Sequence, residues 1–150
     1  MVSVPENAGP SAFNLNRISL FKLKALGPAF SGTLTNEAFY KDFDNRRQVG
    51  AYVGLAPSPR QSGGMDHEQG ISKAGNPRAR VAALELAWLW LRHQPKSALT
   101  HWFLAYTAKA SKRIKRIAIV ALARKLLVAL WRYLTTGLVP DGAVLKPVEA

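Results

Sequence analysis

Cysteine is absent from this 150-residue chain, so neither a disulfide framework nor a thiolate zinc site is available to it. The three histidines, His67, His93 and His101, are too scattered to form a metal cage by themselves. Acidic residues are scarce: 9 Asp plus Glu stand against 21 Lys plus Arg, which leaves a net charge of +12. No convincing alternation of apolar and polar residues marks a strand, and no internal repeat is present. The start, MVSVPENAGPSAFNLN, lacks the basic and apolar regions of a secretory signal, so cytoplasmic residence is expected. The most apolar stretch, residues 117–134, is interrupted by Arg124, Lys125 and Arg132. Each of these would cost about 2.5 kcal/mol or more near a bilayer centre, which points to a buried helix and not a membrane span.

What is present is length enough for one domain with its own core, and an excess of positive charge. Such a field favours a polyanionic partner, with nucleic acid the first candidate. Charge alone would also fit an anionic membrane surface, so more specific features must decide.

Residues 1–17 are rich in Pro, Gly, Ser and Asn and are expected to be a disordered leader. Ile18, Phe21, Leu23 and Leu26 then make an apolar helical face that stops at Gly27-Pro28, and Phe30, Leu34, Ala38 and Phe39 resume it. This segment, 18–45, reads as helix, short hairpin, helix. A helix-hairpin-helix module uses such a glycine to bring backbone N–H groups against a phosphate, which makes Gly27 a candidate contact; an ordinary turn explains Gly-Pro equally. After residues 49–55, Pro57, Pro59, Gly63 and Gly64 impose a long loop over 56–76. Structureless loops beyond about 12–15 residues in a compact domain are commonly functional, so chemistry is sought there. Pro77 opens a very apolar helix, VAALELAWLWL, expected to be largely buried, and His93-Gln94-Pro95 ends it. Trp88, Trp90 and Trp131 are expected as core anchors. Leu99, Trp102, Phe103 and Tyr106 mark a further amphipathic helix. Stacking of these aromatics on single-stranded bases is conceivable, but their helical spacing favours core packing. The basic cluster Lys109, Lys112, Arg113, Lys115 and Arg116 leads into a last helix that Gly137 and Pro140 stop, leaving 143–150 as a flexible tail. The face to which Arg124 and Lys125 belong is not fixed by the sequence. The fold class is mainly α: the hairpin part, then a small helical domain with a long functional loop, together spanning 18–142.

Three blocks in order, FDNRRQVGAYVGLAPSPRQSGG, QGISKAGNPRARVAALELAWLWL and KRIAIVALARKLLVALWRYL, resemble the C-terminal domain of the insertion-sequence transposase family named after elements one-ten, one-sixteen and nine-oh-two. The resemblance spans roughly residues 23–142. It implies DNA transposition and recombination by a two-part site: an N-terminal RNase H-like domain with four metal-binding acids, and a C-terminal domain with a nucleophilic serine. Only the second part is in this sequence, so the expected divalent metal, Mg, belongs to the other domain, and strand transfer by this chain alone is not expected. The resemblance further implies DNA as partner, a structured guide RNA, and a homo-oligomer or full-length transposase.

Carried over residue by residue, the family's serine-glycine-glycine motif falls on Ser62, Gly63 and Gly64, which makes Ser62 the candidate nucleophile. A serine hydroxyl needs its proton removed and the developing phosphate charge stabilised. Arg60, Lys73, Arg78 and Arg80 are candidates for that charge, and Arg46 and Arg47 for holding the phosphate backbone. Position 60 departs from the family pattern, where an aromatic is usual. Ser62 read from its neighbours alone is a turn serine. Ser72 is the rival nucleophile, though it precedes a helix that it could simply cap. Tyr40 and Tyr52 lie in apolar stretches that suit packed aromatics better than a tyrosine mechanism. The alternative to an enzyme part is a non-catalytic basic module that binds DNA or RNA.

Overall fold

The structure, a computed structural model, describes residues 18–55 and 75–147. The leader 1–17 and most of the long loop, including Arg60, Ser62, Gly63, Gly64, Ser72 and Lys73, lie outside the described residues. Within them the chain is helical and contains no strand, only an isolated antiparallel bridge between Leu23 and Leu145. The mainly α class expected from the sequence is what the structure shows.

Helical residues 18–21 precede five helices: α1 (Pro28–Glu37), α2 (Arg46–Val53), α3 (Pro77–His93), α4 (Ala98–Thr107) and α5 (Lys112–Thr136). Their starts follow from local chemistry. Asn45, Asn76, Ser97 and Ser111 each accept a backbone N–H from the first turn of the helix that follows. Pro28 and Pro77 take the first-turn position where the missing N–H costs nothing. Gly54 and Gly137 end α2 and α5 in the left-handed conformation, with φ of 75° and 80°.

Helix α5 is the axis. Its buried residues Ala118, Ile119, Leu122, Ala123, Leu126, Leu127, Leu130 and Tyr133 recur every three to four positions and form one stripe. Helices α2, α3 and α4 pack around α5, and α1 packs against α3. Trp90 and Leu86 of α3 and Leu34 of α1 are wholly buried in the same core as Leu20, Leu23 and Leu26. Each such side chain contributes about 1.5–3 kcal/mol by leaving water.

Four expectations are corrected. The helix before the first turn does not reach Leu26: it is helical over 18–21 and then turns, because Lys24 N donates to Val144 O and Lys146 N to Lys22 O. The buried face there is Leu20, Leu23 and Leu26, while Ile18 and Phe21 are 50% and 43% exposed. Helix α3 is buried on one side only, with Val81 and Trp88 both 54% exposed, so Trp88 is no core anchor. Residues 143–147, expected as a tail, are tied down instead: Lys146 Nζ donates to Phe21 O and Leu26 O, and Leu145 bridges Leu23.

These two outer segments meet at Gln94, the residue after α3. Its buried side-chain amide donates to Lys24 O at 2.8 Å and to Val144 O at 2.9 Å, and its Oε1 accepts Val144 N at 2.7 Å. Alanine at this position would strand Lys24 O and Val144 N in a dry site, each a loss of about 1–3 kcal/mol, while Val144 O keeps its bond from Lys24 N. Gln94→Ala is therefore expected to lower the unfolding free energy by about 3 kcal/mol, read from urea denaturation, whereas a change under about 1 kcal/mol would mean that the bonds are replaced by water.

Candidate nucleic-acid interface

Helix α2 begins with two arginines, and none of α1 to α5 has an acidic residue in its first turn. Carboxylates are the residues that suit a helix N-terminus, whose partial charge is positive. Here Arg46 and Arg47 on α2, Arg78 and Arg80 on α3, and Lys112 and Lys115 on α5 add full positive charges to that end. The arrangement works against helix stability and raises the field available to an anion.

Between α2 and α5 runs a groove of about 820 Å³. Arg46 and Arg47 line it from α2, and Arg124, Lys125 and Arg132 line it from α5, with Gly50, Ala51, Val128 and Ala129 as its floor and Leu99 of α4 at its margin. No carboxylate lines it. The sequence from Leu86 to Pro140 in fact contains no Asp or Glu, so α4, α5 and their connection offer a polyanion no repulsive charge. Arg124 is held in place: a Cβ on Gly50 would lie 3.3 Å from its Cδ, and its guanidinium donates to Leu55 O at 3.3 Å. The helical spacing of four and eight from Arg124 to Val128 and Arg132 was readable from the sequence. That α2 supplies the opposite wall was not, because Val53 ends one helix and Lys112 starts the other, with two further helices between them in the chain.

The loop that carries the candidate serines departs after Leu55 and returns at Gly75, and its two ends are clamped together. Tyr52 O accepts Asn76 N at 2.7 Å. A Cβ on Gly75 would stand 1.9 Å from the same oxygen, so only glycine fits there. Asn76 also donates its amide to Glu37 O and Glu37 Oε1, at 3.2 and 3.0 Å, and so fixes the loop's return to the end of α1. Because Asn76 caps α3, with its Oδ1 accepting Arg78 N and Ala79 N, that helix does not need Ser72 as its cap.

A second cleft, of about 920 Å³, lies beside this clamp and is lined by Glu37, Lys41, Asp42, Tyr52, Asn76 and Arg78 among others. Its charge is mixed, and Arg78 sits 3.6 Å from Glu37. Tyr40 is 55% exposed, not packed as expected, and its hydroxyl lies 2.7 Å from that of Tyr52. That hydrogen bond, followed by burial and by repulsion from Tyr52 and Glu37, raises the Tyr40 pKa above its ordinary value. The phenol is therefore harder to deprotonate than an ordinary tyrosine.

The remaining candidates are dispersed. Arg80 donates to Val53 O at 3.3 Å and is half-buried, closing the C-terminal end of α2 together with Arg124. Gly27 precedes α1 with φ −85°, open space where a Cβ would be, and no part in either cleft. The left-handed residue of that turn is Ala25, at φ 97°. Among the described residues no three His, Asp or Glu side chains gather as a metal site, and no helix is long and apolar enough to cross a membrane.

The family profile described as Transposase IS116/IS110/IS902 matches residues 20–102. A Sinorhizobium fredii protein named as a transposase, y4rJ, is 56% identical over 128 residues, which cover 85% of this chain and 32% of that protein. The transposase for insertion sequence element IS1111A of Coxiella burnetii is 36% identical over 93 residues, covering 62% of this chain and 25% of the relative. The chain thus spans about a third or less of the length of these curated relatives.

The clamp at the base of the loop gives a direct test. Gly75→Ala forces its methyl into Tyr52 O, and the backbone must part there. A loss of about 2 kcal/mol is expected in chemical denaturation, with faster proteolysis between residues 55 and 75; an unchanged midpoint and unchanged cleavage would show that the two segments need not touch.

Proposed function

The chain belongs to the IS116/IS110/IS902 transposase family, and from that premise we propose that it is the part of a DNA transposase that grips the phosphate backbone and presents the serine loop to it. The observation that carries this reading is the α2–α5 groove, where two helices distant in sequence bring five basic side chains together with no carboxylate in the lining. Contacts of this kind are independent of base sequence and release counterions, so binding should fall steeply with salt.

In this reading the groove positions DNA and the loop supplies the nucleophile, Ser62. The serine Oγ forms a bond to phosphorus as the bond from phosphorus to a deoxyribose oxygen breaks. The serine proton passes to a general base, and the departing sugar oxygen takes up a proton. The product is a protein–DNA phosphodiester of nearly the same energy as the one broken, so the rejoining step is the same exchange in reverse. The general base and the Mg-binding acids would be supplied by the ribonuclease-like domain that the family resemblance implies. Arg78, exposed at the loop's return and close in the chain to Lys73 and Ser72, would neutralise charge on the phosphate from that side. A structured RNA offers the same phosphates, and the groove would hold it by the same contacts.

Two experiments test the two halves. Replacing Arg46, Arg47 and Arg132 with glutamine should reduce the slope of log K against log salt for duplex DNA by about 2–3, from roughly 0.9 per lost phosphate contact; an unaltered slope removes the groove from the interface. For the loop, the serine equivalent to Ser62 is changed to alanine in a full-length family member. Covalent protein–DNA adducts are expected to vanish, and adducts that persist, but are lost on changing the equivalent of Ser72, would transfer the role to that residue.

A further inference from the structure

The aromatic residues of α4 do not behave as their spacing predicts. Phe103 is buried and meets Trp88 edge-on, at a centroid separation of 6.4 Å and 77°. Trp102 and Tyr106 instead stack with nearly parallel rings, their centroids 5.4 Å apart and their planes 8° from parallel. Tyr106 is 53% exposed. Burial thus accounts for Phe103 and does not account for Tyr106, whose ring remains largely in water although it contributes nothing to closing the core.

The position of the pair points to its occupant. Leu99, Trp102 and Tyr106 are spaced three and four residues apart on one face of α4, and Leu99 already lines the basic groove. The face therefore carries the groove onward for about 10 Å, at 1.5 Å per residue, to Tyr106. Lys125 joins the two: it lines the groove, and its Nζ sits 4.9 Å from the centre of the Trp102 ring. That contact, a cation over an aromatic face, fixes the Trp102 plane, and Trp102 in turn supports Tyr106. Beyond Tyr106 come Lys109 and Lys112, both exposed, in a region that holds no carboxylate from Leu86 to Pro140. A protein partner with an apolar face would gain nothing from so much unopposed positive charge. A chain that alternates phosphates with flat, stackable rings matches both features.

We propose that Trp102 and Tyr106 form a stacking platform for an unpaired nucleobase of a strand whose phosphates run through the α2–α5 groove. The assignment rests on the groove reading above and sharpens it: a base inside a duplex is already stacked and cannot reach Tyr106, so the surface selects single-stranded or locally opened nucleic acid over continuous duplex. Trp102 orients Tyr106, and Tyr106 presents the face on which the base lies.

The test measures binding of the full 150-residue chain by fluorescence anisotropy to labelled oligodeoxythymidylate, oligouridylate and a blunt DNA duplex of equal length. Tyr106→Ala is expected to weaken single-strand binding about tenfold, within the range for loss of one stacked base, and to leave duplex binding within about twofold. Tyr106→Phe, which keeps the ring, should bind as the parent does. Equal loss with oligodeoxythymidylate and oligouridylate supports stacking on the base whatever the sugar, and loss with one alone supports it and identifies the strand. Equal loss on single strand and duplex, no loss on either, or a Phe variant as weak as the Ala variant would overturn the platform. In those cases the groove still stands if the Arg46, Arg47 and Arg132 variant loses duplex affinity. A parent protein that binds none of the three at low salt would overturn both.

Discussion

The side-chain amide of Gln94 is bonded to three backbone groups from two segments 120 residues apart, and the rest of the arrangement depends on it. It stands where α3 gives way to α4, fully buried, and its own carbonyl accepts the Thr100 hydroxyl and the Ser97 N–H. The corner between the two helices and the attachment of residues 24 and 144 are therefore one polar network inside an apolar core. Such a network is stabilising only when every member is satisfied, and here each has a partner. Gly142, whose Cβ would lie 2.3 Å from Lys96 O, and Ala98 N, which donates to Asp141 O, press the C-terminal segment onto the same corner. With the corner fixed, α4 is held against α5, and Leu99 at the start of α4 comes to line the groove.

The electrostatic organisation is the counterpart of that packing. A chain with 21 basic and 9 acidic residues must place like charges near one another, and this fold does so where it is most costly, at helix N-termini and across a shared groove. Part of the charge is used within the fold. Arg80 and Arg124 reach from α3 and α5 to the carbonyls of Val53 and Leu55, where the negative end of α2 receives them. These two arginines also hold the last described residues before the loop. The remainder of the groove's charge, on Arg46, Arg47, Lys125 and Arg132, meets no carboxylate in the lining. Neighbouring arginines thus serve the scaffold and line the groove.

Within the transposase family, this division gives the loop a stiff base and a charged approach. Its ends are joined at Tyr52, Gly75 and Asn76, and Asn76 performs two tasks at once, capping α3 and bonding the end of α1. The chain spans 32% of the length of its Sinorhizobium fredii relative, and what its described residues contribute is geometry and charge.

The sequence by itself determined the helical class, the family and most helix boundaries, because these depend on local chemistry: Pro77 in a first turn, Gly137 in a left-handed stop, apolar residues three to four apart. It also marked Arg46 and Arg47, since an Asn-Arg-Arg run beside a family motif is visible in one dimension. Tertiary structure alone decided which charges meet. Arg124, Lys125 and Arg132 face α2 because α5 buries its leucine stripe and turns this side outward against the short helix. Trp88 and Tyr106 carry the same apolar signature as Trp90 and Phe103, yet lie outside the core, because periodicity assigns a residue to a face and only packing settles whether another element covers that face. The first turn departs from its local pattern for a related reason. Leu23 leaves the helical path to pair with Leu145, a partner at the far end of the chain that no local window contains.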